Sequence, residues 1–128
     1  MKQFFLSLLF ISSTNLFGFN ENFVCSWSED NKVNQLLLDR FERKDSDLFE
    51  VSGDLDFGPF DSDYFEVVAE NKEGLTLIEE TYPRGGDKWV GGLEVIIINK
   101  ANKRFTYTFT SVYHSYPPKV ISGKCLIL

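Results

Sequence analysis

Arg104-Phe105-Thr106-Tyr107-Thr108-Phe109-Thr110-Ser111-Val112 sets three aromatic side chains against three threonines in strict alternation. A period of two belongs to an extended strand, whose successive side chains leave on opposite faces, and both residue classes favour strands over helices. One face of this strand packs on a core and the other meets solvent. Just before it, Asn99-Lys100-Ala101-Asn102-Lys103 is a polar turn cluster, and Leu93-Glu94-Val95-Ile96-Ile97-Ile98 is the most apolar run beyond the N-terminal segment. Two strands and a short turn make an antiparallel hairpin, whose apolar member is expected at the centre of a sheet.

The same pattern extends outward from this hairpin. Residues 64–70 alternate, with Phe65, Val67 and Ala69 expected on the core face and Tyr64, Glu66, Val68 and Glu70 outside. The turn Asn71-Lys72-Glu73-Gly74 leads into a strand over residues 75–82, with Gly74 expected to supply a positive φ. Residues 23–27, 48–55 (bent at Gly53) and 120–128 also read as strands, the last starting after Pro117 and Pro118 block pairing. Residues 33–41 read as a strand too, although residues 34–43 also fit a helix of about three turns. Nothing else has the sustained spacing of three and four that marks a crossover helix. The expectation is an all-β protein, an antiparallel meander of about eight strands closing as a small barrel or a sandwich.

A chain of 128 residues with 43% hydrophobic side chains supports one core and one domain. Its first 18 residues carry Lys2, an apolar run from Phe4 to Ile11, then Ser12, Ser13, Thr14 and Asn15. That layout is a secretory signal peptide, with Gly18 as the small residue at the cut, and it fits less well a first strand or helix of the domain. The domain is then residues 19–128, and the location periplasmic or secreted. The run is shorter than the roughly 20 residues of a membrane span, and none that long follows. No Asn-x-Ser/Thr acceptor occurs, which tilts the reading toward a bacterial periplasm. Losing Lys2 takes the formal charge from -6 to -7, an acidity that argues against nucleic acid and anionic membranes as partners. Cys25 and Cys125 are the only cysteines, and in an oxidising compartment they pair, tying the first strand to the last.

In a meander, alternate connections emerge at opposite ends. One set, residues 42–47, 71–74 and 99–103, is short, charged and free of aromatics, and reads as plain turns. The other set, residues 57–63, 83–92 and 113–118, is longer and rich in Gly, Pro and aromatics. Binding residues concentrate on loops of a rigid scaffold, and Trp, Tyr and Arg most often anchor interfaces. Lys88 and Trp89, between Gly85-Gly86 and Gly91-Gly92, and Tyr113, His114 and Tyr116 are therefore the candidate binding residues. The competing reading folds Trp89 and the tyrosines back as a lid over the barrel end.

Other chemistry is thinly represented. Three Asp-x-Asp pairs, Asp45/Asp47, Asp54/Asp56 and Asp61/Asp63, have carboxylates for a hard cation, yet none continues as a calcium loop, and solvated turns are the better reading. One histidine and two cysteines fall short of a zinc site, and no cofactor is indicated. His114 beside Tyr113 and Ser115 forms no nucleophile motif, so no catalytic residue is assigned.

The leader, a Cys in the first mature strand, the eight-strand layout, the Gly-rich aromatic loop and a Cys in the last strand together resemble the small periplasmic inhibitors of C-type lysozymes. The resemblance implies a β-barrel that inserts a Ser-Gly-x-x-Tyr-like loop and a basic residue into an enzyme cleft. The nearest stretch is Gly85-Gly86-Asp87-Lys88-Trp89, which does not match that motif, having Trp in place of Tyr and no Ser. The function expected is a non-enzymatic binding module of the cell envelope, its partner an envelope protein or a small ligand. A carboxylate hydrolase or a structural accessory of an envelope complex are the alternatives.

Overall fold

The computed structural model describes residues 19–43, 46–55, 64–81, 91–112 and 117–128. Eight strands run in chain order: β1 (Phe23–Glu29), β2 (Lys32–Arg43), β3 (Ser46–Gly53), β4 (Tyr64–Glu70), β5 (Gly74–Thr81), β6 (Gly92–Asn99), β7 (Arg104–Ser111) and β8 (Lys119–Ile127). Each pairs antiparallel with the next and β8 returns to β1, giving a closed barrel. Closure settles barrel over sandwich. It also leaves no strand central, so the expectation for residues 93–98 is corrected: β6 is one stave among eight, though paired along its whole length on both sides. The segment that also suited a helix is strand β2, because Leu36 and Leu38 alternate into the core while Gln35, Leu37 and Asp39 face outward.

Inward-facing Phe23, Leu36, Leu38, Phe49, Phe65, Leu77, Ile96, Ile98 and Phe105 are almost fully buried and fill the interior. Phe23 and Phe49 meet at 6.0 Å and Trp27 stands edge-on to Phe105 at 6.2 Å. The β1–β8 seam is short, with four residue pairs from Phe23↔Ile127 to Ser26↔Lys124. Cys25 and Cys125 face each other in that register, both buried, and are joined as a disulfide. Beside it the two strands approach so closely that a Cβ on Gly123 would collide with the Ser26 carbonyl oxygen and come within 2.8 Å of the Phe105 ring.

Two local expectations are corrected. Gly74 has no positive φ; the left-handed residues of the tight turns are Asp30, Asn31 and Lys103. The β4–β5 turn is held instead by the Asn71 side chain, whose Oδ1 accepts from the Glu73 and Gly74 amides at 2.8 and 3.0 Å. In β4, the alternation expected to put Ala69 inside and Glu70 outside breaks at a bulge between Val67 and Ala69. The extra residue resets the phase, so Ala69 is exposed and Glu70, opposite buried Leu75, turns inward.

Candidate functional site

The strand directions give the barrel two unlike ends. At one end the connections are residues 44–45, 71–73 and 100–103; at the other they are the Asp30-Asn31 turn and the longer residues 54–63, 82–91 and 112–118. Lys88, Trp89, Tyr113, His114 and Tyr116 all belong to these longer connections and lie outside the described residues. What is described is the floor beneath that end. Trp27, at the end of β1, is buried and its Nε1 donates to Glu29 Oε1 at 3.3 Å.

One turn of alternation into β6, Glu94 points inward and is 1% exposed. The Tyr107 hydroxyl donates to its Oε1 at 2.8 Å. Burial first, then the neighbouring carboxylate that accepts its proton, pushes the Tyr107 phenol far above its ordinary range, so it remains a donor at any physiological pH. Glu79 on β5 faces Glu94 in register, on the inward phase set by Leu75 and Leu77. The floor of this end thus carries inward carboxylates and a phenol, beneath connections that are, by sequence, rich in aromatics. Sequence reasoning missed Glu94, although its place one step inside an otherwise apolar strand, in phase with Ile96 and Ile98, is a readable signal.

The opposite end was read as plain turns, and this is corrected. Arg40, inward on β2 with its side chain 5% exposed, clasps Glu70 with two nitrogens at 2.9 and 2.7 Å and reaches Asp47 at 3.1 Å. Lys100, in the β6–β7 turn and equally buried, donates to Glu70 at 2.9 Å and to Glu21 at 3.0 Å. Arg40 also stacks 4.6 Å over the Phe49 ring. Burial alone would raise the Glu70 pKa, but the hydrogen bonds and charges of Arg40 and Lys100 outweigh it and hold the carboxyl below its usual range. Burial would lower the Arg40 pKa, but its hydrogen bonds to Glu70 and the charges of Glu70, Asp47 and Glu21 outweigh this and raise it. Each of these charged groups meets at least one of opposite sign, and the network closes this end of the barrel.

Two of the aspartates considered for a cation are engaged within the fold. Asp47 pairs with Arg40, and Asp54 Oδ2 accepts from the Gln35 amide at 2.8 Å. Among the described residues no group of three or more His, Cys, Asp or Glu side chains is placed to hold a metal ion, and no helix is long and apolar enough to cross a membrane.

No protein-family model, curated protein or solved structure matches the chain. Its reading rests on its own chemistry. Of its two ends, one is closed by a network of ion pairs; the other carries the long connections over a buried carboxylate–phenol pair.

Proposed function

We propose that the protein is an exported, non-enzymatic binding module of the cell envelope, engaging a protein or a small ligand at the end that bears Lys88, Trp89, Tyr113, His114 and Tyr116. The observation that carries this reading is the asymmetry of the barrel. Three long connections leave a rigid closed scaffold at one end, while the other end is bound up by Arg40, Glu70 and Lys100. The disulfide across the closing seam supports an oxidising location. The interior is filled by side chains, which favours contact at the rim over a ligand held in the lumen.

The test compares the exported protein with Trp89→Ala, each immobilised and exposed to envelope extract and, separately, to a C-type lysozyme. A rim anchor predicts a partner retained by the parent and lost by the variant, with melting changed by no more than about 0.5 kcal/mol. A loss of roughly 3–5 kcal/mol instead makes Trp89 a lid packed on the barrel. Capture of nothing by the parent refutes the reading, and absence of lysozyme binding removes the inhibitor class.

A further inference from the structure

The ladder that closes the barrel stops short of the strands that form it. β1 and β8 pair from Phe23↔Ile127 to Ser26↔Lys124, yet β1 runs on to Glu29 and β8 begins at Lys119. On their other sides both stay paired, β1 with β2 as far as Glu29↔Lys32 and β8 with β7 as far as Phe109↔Lys119. The close approach of Gly123 to the Ser26 carbonyl marks the place where the two strands part. Toward the end that bears the long connections, each is therefore a strand with one partner, and the closed barrel keeps a short edge there.

Alternation decides which backbone groups that edge presents. Asn22 and Leu128 bond each other in both directions, at 3.4 and 2.8 Å, and the Cys125 amide donates to the Lys103 carbonyl at 2.8 Å. In an antiparallel ladder one residue turns both backbone groups to one neighbour, and the next turns both to the other. Even-numbered residues of β8 thus face β1, and odd-numbered ones bond β7. Lys124 and Leu126 are taken up by β1. Val120 and Ser122, with Ser28 on the opposite strand, are exposed and turn their N–H and C=O groups into the gap, and among the described residues no backbone group pairs with them there. Pro118, next in the same phase, has no N–H to offer, so the edge ends at Val120. The inward residues of these stretches, Trp27 and Ile121, are buried, so the gap exposes backbone rather than core.

The outer surface beside this edge fixes the chemistry of its occupant. An outward row of Ile78, Val95 and Thr108 across β5, β6 and β7 ends on Val120, which is 68% exposed; the row of Thr76, Ile97 and Thr106 ends on Ser122. Neither row carries a charge. One more strand would continue both rows, placing β-branched or small hydroxyl side chains beside Val120 and Ser122. The edge of a second barrel is a poor fit. β1 blocks the ladder at Lys124, Pro118 ends it, exposed Lys119 and Lys124 flank it, and two residues are far too few for the roughly 1,200 Å² or more that a stable interface buries. A single extended segment fits.

We propose that the gap between β1 and β8 is a strand-addition site, in which an extended, uncharged, β-branched stretch of a protein partner pairs antiparallel with β8 through the backbone groups of Val120 and Ser122. It rests on the reading of the protein as a binding module and narrows the partner to a polypeptide.

Amide hydrogen exchange followed by NMR tests the edge before any ligand is added. In the free protein Val120 and Ser122 should exchange at least about tenfold faster than Ile121, whose amide bonds β7. A capped heptapeptide of alternating valine and threonine, added to millimolar concentration, should then slow both amides and shift their signals. Val120→Pro removes a donor from the edge and no bond to β7, so it should melt within about 3 °C of the parent and bind the heptapeptide about tenfold more weakly. Should that variant fail to fold, exchange and titration of the parent decide alone. Trp89→Ala should bind the heptapeptide as the parent does. Equal protection of Val120, Ile121 and Ser122 in the free protein, no effect of the heptapeptide, or equal affinity for parent and Val120→Pro overturns the proposal. A partner captured from envelope extract that is lost by Trp89→Ala but kept by Val120→Pro also overturns it, while leaving the rim reading in place.

Discussion

Replacing Arg40 by Ala puts the closed end of the barrel to its most direct test. The guanidinium makes two bonds to Glu70 and one to Asp47 from a side chain only 5% exposed. Removing one partner of a buried ion pair costs about 3–5 kcal/mol, because the other charge is left behind without its match. Lys100 remains 2.9 Å from Glu70 and still offsets that charge, whereas Asp47 loses its guanidinium partner, which places the expected loss near the lower bound of about 3 kcal/mol. For a domain of this size that is a fall in Tm of about 12 °C, and a large share of a total stability of about 5–15 kcal/mol. Urea and thermal unfolding, followed by circular dichroism, give both quantities. Arg40→Lys supplies the contrast: it keeps the charge but cannot span both Glu70 oxygens and Asp47, so it should lose about 1–2 kcal/mol. A loss below about 1 kcal/mol for Arg40→Ala, or equal losses for the two variants, would refute the account of this end as a buried network held by a fork-shaped donor.

Glu70→Gln should flatten the acid limb of the stability curve. A carboxyl with a lowered folded pKa contributes fully above its ordinary 4.5 and loses that contribution as pH falls through the folded value, so the gap between parent and variant in melts from pH 7 to pH 2 should close at the acid end. Cys25 and Cys125 should be inert to thiol reagents until the protein is reduced, and the Cys25→Ala/Cys125→Ala pair should lose about 4–5 kcal/mol in denaturant, the chain-entropy worth of a bridge spanning 100 residues. Gly123→Ala should destabilise strongly, because its methyl group meets backbone of β1 rather than a side chain that can turn aside; a denaturation midpoint unchanged from the parent would show that the seam is looser than the close approach implies.

The all-β class was legible because the deciding signal is periodic. The Phe-Thr-Tyr-Thr-Phe-Thr alternation of β7 survives any uncertainty at its ends, and two cysteines allow a single bridge. Glu70 was placed on the wrong face for the opposite reason: one bulged residue shifts a period-two pattern by a full phase, and Val67-Val68-Ala69 has no Gly or Pro to announce it. Gly74 attracted the positive φ because glycine tolerates it, while the asparagine beside it was able to make the turn through its own side chain. The charged end was passed over because isolated charges in turns are usually solvated. Yet Arg40 continues the inward phase of Leu36 and Leu38, and an arginine in that phase demands buried acids from somewhere along the chain. Asp47 sits on the partner strand of the same hairpin, within local reach, but no local pattern could name Glu70 and Lys100, which only the curling of the sheet brings to Arg40 and to each other.

The bridge at the closing seam also changes what a protease can accomplish. The Cys25–Cys125 disulfide closes the backbone between them into a covalent ring, and beside it backbone hydrogen bonds join Asn22 to Leu128. Severing such a ring once, anywhere between the two half-cystines, releases no fragment, because the two pieces stay joined through the disulfide. A single cut in any connection between the two cysteines therefore leaves all eight staves covalently attached.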